Sequence, residues 1–425
     1  MNFRDLLFIG KDALNGFKIH RHIKEIGKSL KTGENVHKVK QILEYSTKNV
    51  PFYKKLNIKE FRDLPVVDKV IIKSNTNDFI SYKYKGKKLI RITTSGSTGT
   101  PFTVYQNKNK KLRNLADTLV FERNAGYRLG DRMLYVKIWA KEKMSHPLIY
   151  WVQNMIPIDA IKLDDNQISN ILNDIKRNKN KTHCVIGYVS ALEQVIRFCD
   201  KNNIADLEAK FSTVITMSES LDTGTKGKLG ELFKCPVVAR YSNLENGILA
   251  QQLPDGSNSF VFNSASYFIE ILDLNNNTPL KEGEKGRIVI TDLYNYAMPL
   301  LRYDTGDIGS IEHGSNGVLL LKTVEGRKLD VLFDSKGNIV SSYIMYKNMW
   351  KYTEVLQYQL IQTGQKDYLF KINCNRPFEK EEQLTSEFKE YLGSDSNFKI
   401  EYVDEIVLLD SGKRRKTVNL YKNTI

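Results

Sequence analysis

Between residues 105 and 235, helical stretches alternate with short apolar segments, and this alternation constrains the fold more than any other feature of the sequence. Two of the apolar segments are Val185 to Tyr188 and Val214 to Met217. Strands separated by helices are typical of a parallel sheet that helices cover. The pattern therefore predicts an α/β core.

The segment before this core is predicted to be helical. Up to about Asp78, apolar residues recur every three or four positions, as at Val36, Val39 and Leu43. This spacing puts the apolar side chains on one side of a helix, where they can pack against a core.

Two further regions follow the core. Residues 260–325 hold several short strands separated by turn residues, which indicates a smaller β-rich subdomain attached to the core. After Arg327, a helical stretch from Glu379 to Leu392 lies between two apolar strands, which indicates a compact α+β domain. The chain is 425 residues long, and this exceeds the roughly 100 to 200 residues of one ordinary domain.

The charge balance is strongly basic. With 64 Lys and Arg against 49 Asp and Glu, the formal net charge is +15, and such a chain attracts anions at long range. The basic residues are scattered rather than gathered into an arm or a stripe, so we expect no nucleic-acid partner. A nucleotide, an acidic metabolite or an anionic membrane surface is compatible with the same charge.

Apolar runs are short. None approaches the ~20 residues of a membrane-spanning helix, and the run from Leu6 to Ile9 is too short for the apolar part of a secretory signal. We therefore expect a cytoplasmic protein without a transmembrane segment. The cysteines lie too far apart for a disulfide framework or a zinc cluster, so we expect inert thiols and no structural metal. They are Cys184, Cys199, Cys235 and Cys374.

The densest polar motif is Thr-Thr-Ser-Gly-Ser-Thr-Gly-Thr-Pro at residues 93–101. Its hydroxyls and backbone N–H groups are donors, and its glycines allow the backbone to approach an anion, so the loop suits a phosphate. It is not a Walker A loop, because no Gly-Lys-Ser/Thr follows and the next residues read as a strand. A flexible linker is the alternative, which Pro101 and the flanking strands disfavour.

Four later segments occur in a fixed order after this loop. They are Val237 to Gly247, Pro299 to Gly309, Gly326-Arg327 and Ser411-Gly412-Lys413. Together with the loop, they resemble the acyl-adenylate-forming superfamily, in particular its phenylacetate-coenzyme A ligase branch and capsular-polysaccharide relatives. The resemblance covers almost the whole chain.

Several of these residues have a chemistry suited to a nucleotide. Asp307, after Gly306 at a predicted strand end, can accept both hydroxyls of a ribose, and Tyr241 can lay its ring on adenine. Arg302 and Arg327 carry planar charged groups suited to phosphate or ribose oxygens. By resemblance, Met217 to Leu221 adds a stretch ahead of the adenine site. The predicted nucleotide-binding residues are Thr94, Ser95, Gly96, Ser97, Thr98, Gly99, Ser218, Glu219, Tyr241, Ser242, Asp307, Arg302 and Arg327.

Two residues are predicted to be catalytic. Glu245 is the candidate magnesium ligand, because Mg²⁺ on ATP takes only one or two carboxylates from protein. The resemblance implies that Lys413 is the catalytic lysine, which would sit between the attacking carboxylate and the α-phosphate. The resemblance also places Tyr188, Ser190 and Tyr135 near the acyl pocket.

Three positions depart from the family pattern. Ser242 replaces a glycine, Leu244 replaces a Thr or Ser whose hydroxyl would meet a phosphate, and Leu329 stands where the hinge usually has Asp or Lys. Leu244 and Leu329 favour a second hypothesis, a nucleotide-binding relative without catalysis.

The resemblance implies an α/β fold with a mobile lid. We expect an N-terminal domain at 1–325, a hinge at 326–331 and a lid at 332–425. The implied activity is ATP- and Mg²⁺-dependent conversion of a carboxylic acid to acyl-AMP, with transfer to coenzyme A. An amine or a sugar hydroxyl is the alternative acceptor, and capsule biosynthesis is the implied setting.

Overall fold

The computed structural model describes most of the chain. The described residues are 3–32, 35–94, 102–139, 147–314, 317–327, 332–340, 343–349, 352, 354–374, 378–407 and 415–421.

Helices occur along the whole described chain. They are Phe3–Leu14 (α1), Lys18–Thr32 (α2), Val36–Asn49 (α3), Pro51–Lys54 (α4), Lys69–Ser74 (α5), Lys108–Asn124 (α6), Pro147–Gln153 (α7), Asp165–Arg177 (α8), Val189–Lys201 (α9), Thr223–Phe233 (α10), Tyr343–Met349 (α11) and Glu381–Leu392 (α12). Several begin at an Asp or Asn whose side chain accepts a hydrogen bond from the third helical N–H, which satisfies an otherwise unpaired donor. These capping residues are Asp68, Asn107, Asp164 and Asp222.

The strands begin after α5 and lie between and after the later helices. They are Ile90–Thr94 (β1), Phe102–Gln106 (β2), Arg132–Lys137 (β3), Met155–Asp159 (β4), Thr182–Tyr188 (β5), Lys210–Met217 (β6), Val237–Asn243 (β7), Gly247–Gln252 (β8), Phe260–Phe262 (β9), Tyr267–Leu272 (β10), Gly286–Asp292 (β11), Tyr303–His313 (β12), Leu319–Arg327 (β13), Leu332–Phe333 (β14), Ile339–Val340 (β15), Val355–Gln362 (β16), Asp367–Cys374 (β17), Asn397–Tyr402 (β18) and Thr417–Asn419 (β19).

The predicted α/β core is confirmed. Strands β4, β3, β5, β6 and β7 lie side by side and run parallel, with helices between them in the chain. Most of their central residues are apolar, as is usual for parallel strands that are covered on both faces. One buried apolar cluster contains side chains from β5, β6 and helices α8, α9 and α10.

The predicted β-rich segment is part of the same sheet. In the described residues this sheet has eleven strands in the order β10-β11-β12-β13-β9-β8-β7-β6-β5-β3-β4. The link between its two halves is short, because β13 pairs with β9 through only Leu320↔Val261 and Leu321↔Phe260. The subdomain and the core therefore share one hydrogen-bonded layer.

This sheet is strongly curled. Strands β7 and β12 are four places apart in the strand order, which corresponds to about 19 Å in a flat sheet. The Tyr241 hydroxyl on β7 nevertheless lies 2.7 Å from a carboxylate oxygen of Asp307 on β12. The concave side encloses apolar side chains, among them Phe102, Phe262 and Tyr303.

The helical N-terminal segment is confirmed as well, and it packs on this sheet. Residues of α3, α4 and α5, such as Ile42, Tyr53 and Ile72, join the buried cluster that fills the concave side. A bridge between Val67 and Tyr303 attaches the segment to β12.

The C-terminal region has its own core. Strands β18, β17, β16 and β19 form a four-stranded sheet, and Phe388 of α12 packs edge-on against Phe370 of β17. The helix and strands predicted after residue 365 are thus confirmed.

The loop predicted at 93–101 lies between paired strands. β1 and β2 are antiparallel, with Thr94 opposite Phe102. Residues 95–101 themselves lie outside the described residues.

The described part of the chain contains no helix that is both long and apolar enough to cross a membrane. It also contains no group of three or more His, Cys, Asp or Glu side chains arranged to hold a metal ion.

Burial of two histidines predicts acid sensitivity of the fold. Burial lowers the pKa of His22, with Arg113 as the next cause, and burial also lowers the pKa of His183. As the pH falls below the ordinary histidine value of about 6.5, the unfolded chain binds these protons before the folded one does. The free energy of unfolding should therefore decrease from this pH downwards.

Urea unfolding at a series of pH values measures this effect. The double substitution His22→Gln and His183→Gln should make the decrease between about pH 7 and pH 5 shallower. His37→Gln, at an exposed position on α3, is the control and should leave the slope unchanged. An identical slope in the double variant and the wild type would contradict the prediction.

Candidate active site

Predicted site residues from three separate segments meet at one edge of the sheet. In the parallel register, Tyr188 at the end of β5 is opposite Met217 at the end of β6, and Met217 is opposite Arg240 of β7. Ser218 follows the end of β6 by one position, and Tyr241 lies in β7 one position after Arg240. Ligands of α/β sheets bind at the carboxyl ends of the parallel strands, so this edge is the candidate site.

The Tyr241 and Asp307 side chains contact each other. The Tyr241 hydroxyl donates to Asp307 Oδ2 at 2.7 Å, and Thr305 Oγ1 lies 3.4 Å from the same hydroxyl. Burial, followed by the Asp307 charge, raises the pKa of Tyr241 well above its ordinary value. The phenol therefore stays protonated and keeps one carboxylate oxygen of Asp307 in place.

The sequence indicated that Asp307 stands at a strand end, and this prediction is wrong. β12 runs on from Tyr303 to His313, and its pairing with β13 shifts register between Asp307 and Ile308. Gly306 has a φ of +82°, a conformation that favours glycine. An irregularity of this kind re-aims a side chain within a continuing strand.

Glu245 is buried in a turn between β7 and β8. It is 2% exposed, and its Oε1 accepts a hydrogen bond from the Tyr303 hydroxyl at 2.7 Å. The same oxygen lies 3.0 Å from Lys69 Nζ. Asn243 Oδ1 accepts from the Asn246 N–H at 2.9 Å and closes the turn.

A buried ion pair supports this turn through the Tyr267 hydroxyl. Lys110 Nζ lies 2.8 Å from Asp292 Oδ2 and donates to the Tyr267 hydroxyl at 2.9 Å. The Tyr267 hydroxyl in turn donates to the Asn246 carbonyl at 2.6 Å. Because Lys110 and Asp292 are both fully buried, loss of either partner would leave an uncompensated charge.

Glu219 holds the start of a helix. Its two carboxylate oxygens accept hydrogen bonds from the Ser190 N–H at 2.7 Å and the Ser190 hydroxyl at 3.1 Å. Ser190 is the second residue of α9, where a carboxylate satisfies a free N–H and the helix dipole. Ser218 precedes this carboxylate with a φ of +72°, and left-handed residues other than glycine are often found at functional sites.

Aromatic side chains line the neighbouring part of the edge. Tyr135 lies against Trp139 edge-on, with 5.6 Å between ring centres, and burial raises the pKa of Tyr135 to about 12. Burial also raises the pKa of Tyr188. The ammonium of Lys137 lies 4.7 Å and 4.2 Å from the centres of the Tyr135 and Trp139 rings.

Arg302 is placed elsewhere. Its Nε donates to Glu270 Oε2 at 3.0 Å, and its Nη1 donates to the Leu64 carbonyl at 2.8 Å. The side chain is buried, and its φ is +46°. The structure therefore puts Arg302 in an internal ion pair, away from the Tyr241–Asp307 contact.

Several predicted residues lie wholly or partly outside the described part of the chain. Thr94 is described as the last residue of β1, and the backbone of Arg327 is opposite Asp307 in the β12–β13 pairing. Ser242, in contrast, is fully described. It lies in β7, where the pairing with β8 shifts register. The remaining predicted residues outside the described ranges are Ser95, Gly96, Ser97, Thr98, Gly99, Leu329 and Lys413.

The chain just after the tail motif contacts helix α9. Lys416 Nζ lies 3.3 Å from Glu193 Oε1, and Glu193 is on α9, one turn after Ser190. Residues 408–414 are thus followed directly by a segment that touches the helix next to the candidate site.

Sequence reasoning missed Lys69 and Tyr303. Tyr303 lies in the same Pro299 to Gly309 motif as Asp307, and this shared motif was a signal that could have been used. Lys69 is a single lysine in a helical region, and no local pattern distinguishes it from the chain's other lysines.

Comparisons with known proteins agree with this architecture. Residues 332–420 match the CapK C-terminal domain family. The chain is 23% identical to Protein CapK of Staphylococcus aureus over 411 residues. This alignment covers 90% of the present chain and 88% of Protein CapK.

Solved structures give the fold. A 2-hydroxyisobutyryl-CoA ligase in the postadenylation state, in complex with 2-HIB-AMP, superposes with a TM-score of 0.71 at 13% identity and covers 90% of this chain and 88% of its own. ATP-bound MatB from Rhodopseudomonas palustris superposes with a TM-score of 0.57 at 16% identity, covering 77% and 66%. The chain has the fold of the acyl-adenylate-forming ligases.

The fold that the five sequence motifs imply is thereby confirmed, and the CapK matches agree with the resemblance to capsule-associated relatives. Another structure of the 2-hydroxyisobutyryl-CoA ligase, in the thioesterification state, superposes with a TM-score of 0.59 at 14% identity and covers 93% of this chain and 92% of its own.

A double-mutant cycle tests the Tyr241–Asp307 contact. Tyr241→Phe removes the donor, and Asp307→Asn removes the charge of the acceptor. Because a buried hydrogen bond to a charged group contributes about 1.5 to 3 kcal/mol, the two substitutions should be coupled by at least ~1 kcal/mol in the free energy of urea unfolding. Additive effects of the two substitutions would contradict the contact.

Proposed function

We propose that the protein activates a carboxylic acid with ATP, forming acyl-AMP and pyrophosphate, and then transfers the acyl group to coenzyme A or another acceptor. The observation that carries this proposal is the contact of Tyr241 with Asp307 beside the buried Glu245 at the carboxyl edge of the parallel strands. An aromatic ring, a fixed carboxylate and a buried acid are the groups that adenine, ribose and a metal-bound phosphate require.

In this proposal, each described side chain has one task. Asp307, held by Tyr241, accepts the ribose hydroxyls, and the Tyr241 ring lies against adenine. The aromatic wall of Tyr135 and Tyr188 borders the acyl group. Glu219 acts through the helix that it caps, because its carboxylate fixes Ser190 at the start of α9.

Glu245 fits a magnesium ion on the phosphates. Mg²⁺ in such sites takes one or two protein carboxylates, and phosphates and water supply its other ligands. A buried carboxylate fixed by the Tyr303 hydroxyl meets that requirement. The ion would neutralise charge on the β- and γ-phosphates as pyrophosphate leaves.

Lys413 is assigned to the first chemical step. A carboxylate oxygen of the acid attacks the α-phosphorus, and the bond from that phosphorus to the pyrophosphate oxygen breaks. Two anions approach each other in this step, and an ammonium between them lowers the barrier. The Lys416–Glu193 contact supports an approach of this part of the chain to α9.

The second step depends on the acceptor. A thiol sulfur, an amine or a sugar hydroxyl attacks the acyl carbon and loses one proton to water. The bond from that carbon to the AMP phosphate oxygen breaks, and AMP leaves with its electron pair. Preformed acyl-AMP distinguishes these acceptors, because only the correct one discharges it rapidly. The capsule-associated name of the Staphylococcus aureus relative supports including sugar amines and hydroxyls in that panel.

Pyrophosphate release from ATP tests the first step. The assay uses a panel of aryl, aliphatic and amino acids with Mg²⁺, and one or more acids should stimulate release. Lys413→Ala should slow the stimulated rate by ~10² to 10³, corresponding to about 3 to 4 kcal/mol. A rate that is indifferent to this substitution would overturn the catalytic assignment, and ATP binding without any stimulated release would favour a non-catalytic relative.

Lys69 is the second cation that we propose for the triphosphate. Residues 93–104 contain no lysine or arginine, and exposed Leu244 offers no hydroxyl beside Glu245. Lys69 Nζ lies 3.0 Å from Glu245 and 5.8 Å from the ring centre of Phe102, the first described residue after the hydroxyl-rich loop. Binding of Mg²⁺ at Glu245 would release this ammonium to a phosphate oxygen.

ATP titration by calorimetry tests this role. Lys69→Gln should weaken the binding of Mg²⁺-ATP roughly tenfold and raise KM for ATP, since one charged phosphate contact is lost. Lys73→Gln, at an exposed position one turn later on α5, is the matched control and should bind ATP normally. Equal ATP affinities in the two variants would exclude Lys69 from the phosphate site.

A further inference from the structure

Helix α1 is held to the protein by one side. Asp12 is buried and accepts hydrogen bonds from the Ile19 and His20 N–H groups, at 3.0 Å and 2.9 Å, which caps α2. Phe8 packs against the small apolar cluster that contains Ile19 and Ile26. These contacts fix which side of α1 faces outwards.

The other side of α1 is apolar and exposed. Phe3 is 64% exposed and Leu14 is 90% exposed, and Leu6 and Leu7 are exposed between them. Positions 3, 7 and 14 follow the helical repeat, with position 6 beside them, so these side chains lie along one face. A folded protein rarely leaves such a stripe in water unless it binds something.

Neighbouring segments extend this surface. Phe17, in the turn between α1 and α2, is exposed, and Trp151 on α7 is 60% exposed. Arg4 joins the two helices, since its guanidinium lies 5.8 Å from the Trp151 ring centre. We call this surface the apolar face; it comprises Phe3, Leu6, Leu7, Leu14, Phe17 and Trp151.

The surroundings of the apolar face are basic. Residues 3–31 contain seven Lys and Arg against three acidic residues. Two of those acids are engaged inside the protein, because Asp12 is the buried cap and Glu25 pairs with Lys38 and Arg113. Exposed basic residues therefore dominate the border, at Lys11, Lys18, Arg21 and Lys24.

We propose that the apolar face is a docking surface for an anionic lipid bilayer. An interfacial helix of this kind combines Phe, Leu and Trp on one face with Lys and Arg beside it. The basic border fits negatively charged head groups, each contact adding to the attraction. A second copy of the chain fits less well, because it would bring two basic borders together.

Vesicle sedimentation tests the proposal with the full chain. The protein should bind vesicles of phosphatidylcholine with about 30% phosphatidylglycerol, should bind pure phosphatidylcholine weakly, and should dissociate as salt is raised. The double variant Leu6→Glu with Leu7→Glu should lower the partition coefficient roughly tenfold or more. Lys11→Glu with Lys18→Glu should have a comparable effect.

Matched variants elsewhere separate this effect from a change in net charge. Val407→Glu with Leu420→Glu alters two apolar side chains that are 82% and 64% exposed in the C-terminal region, and Lys179→Glu with Lys210→Glu reverses two exposed lysines on another surface. Both should bind anionic vesicles like the wild type. Equal losses in these variants and in the α1 variants would show that binding depends on net charge alone and would overturn the proposal.

Quenching by brominated lipid locates the contact. Trp151 fluorescence should fall when anionic vesicles carry bromine on their acyl chains, and Trp151→Phe should abolish most of that fall. Unquenched fluorescence in vesicle-bound protein would contradict the assigned surface. No binding to anionic vesicles, or a dimer in light scattering that the Leu6→Glu and Leu7→Glu variant dissociates, would also overturn the proposal.

Discussion

The hydrogen bond between Tyr241 and Asp307 can form only because the eleven-stranded sheet curls. The two residues belong to strands four places apart, and their side chains are too short to span that separation in a flat sheet. The short two-pair link between β9 and β13 lies between β7 and β12 in the sheet order. The buried apolar side chains on the concave side, which include Phe262 and Tyr303, stabilise the curled form. The candidate site thus depends on this apolar packing as well as on its own polar groups.

The charges of the site are arranged around two acids. Asp307 and Glu245 each accept a hydrogen bond from a buried tyrosine, which fixes the carboxylates without neutralising them. A triphosphate would add further negative charge to this region, so cations have to accompany it. Lys69 already contacts Glu245, and Lys416 brings the end of the tail segment to α9. In the proposed function, Mg²⁺, Lys69 and Lys413 would together supply the required positive charge.

The sequence was sufficient for the fold but only partly for the site. The spacing of apolar residues located the parallel strands and the C-terminal α+β region, because that spacing is a local property of the chain. Motif resemblance located Tyr241 and Asp307, which the curl of the sheet then brings into contact. The placement of Arg302 in an ion pair with Glu270 depends on a partner 32 residues away, and no local pattern encodes that pairing. Lys69 was missed for the same reason, because its significance comes from Glu245, far along the chain. The hydroxyl-rich loop and Lys413 remain predictions, since both lie outside the described residues.

A crystal structure with Mg²⁺ and a non-hydrolysable ATP analogue tests the central claim most directly. The account predicts the ribose hydroxyls on Asp307, the adenine on the Tyr241 ring and the metal on Glu245. It further predicts the phosphates between residues 94–99 and Lys69, with Lys413 within reach of the α-phosphate. A nucleotide bound away from Asp307, or a Lys413 that no rotation about residues 326–331 can bring to the α-phosphate, would contradict the account.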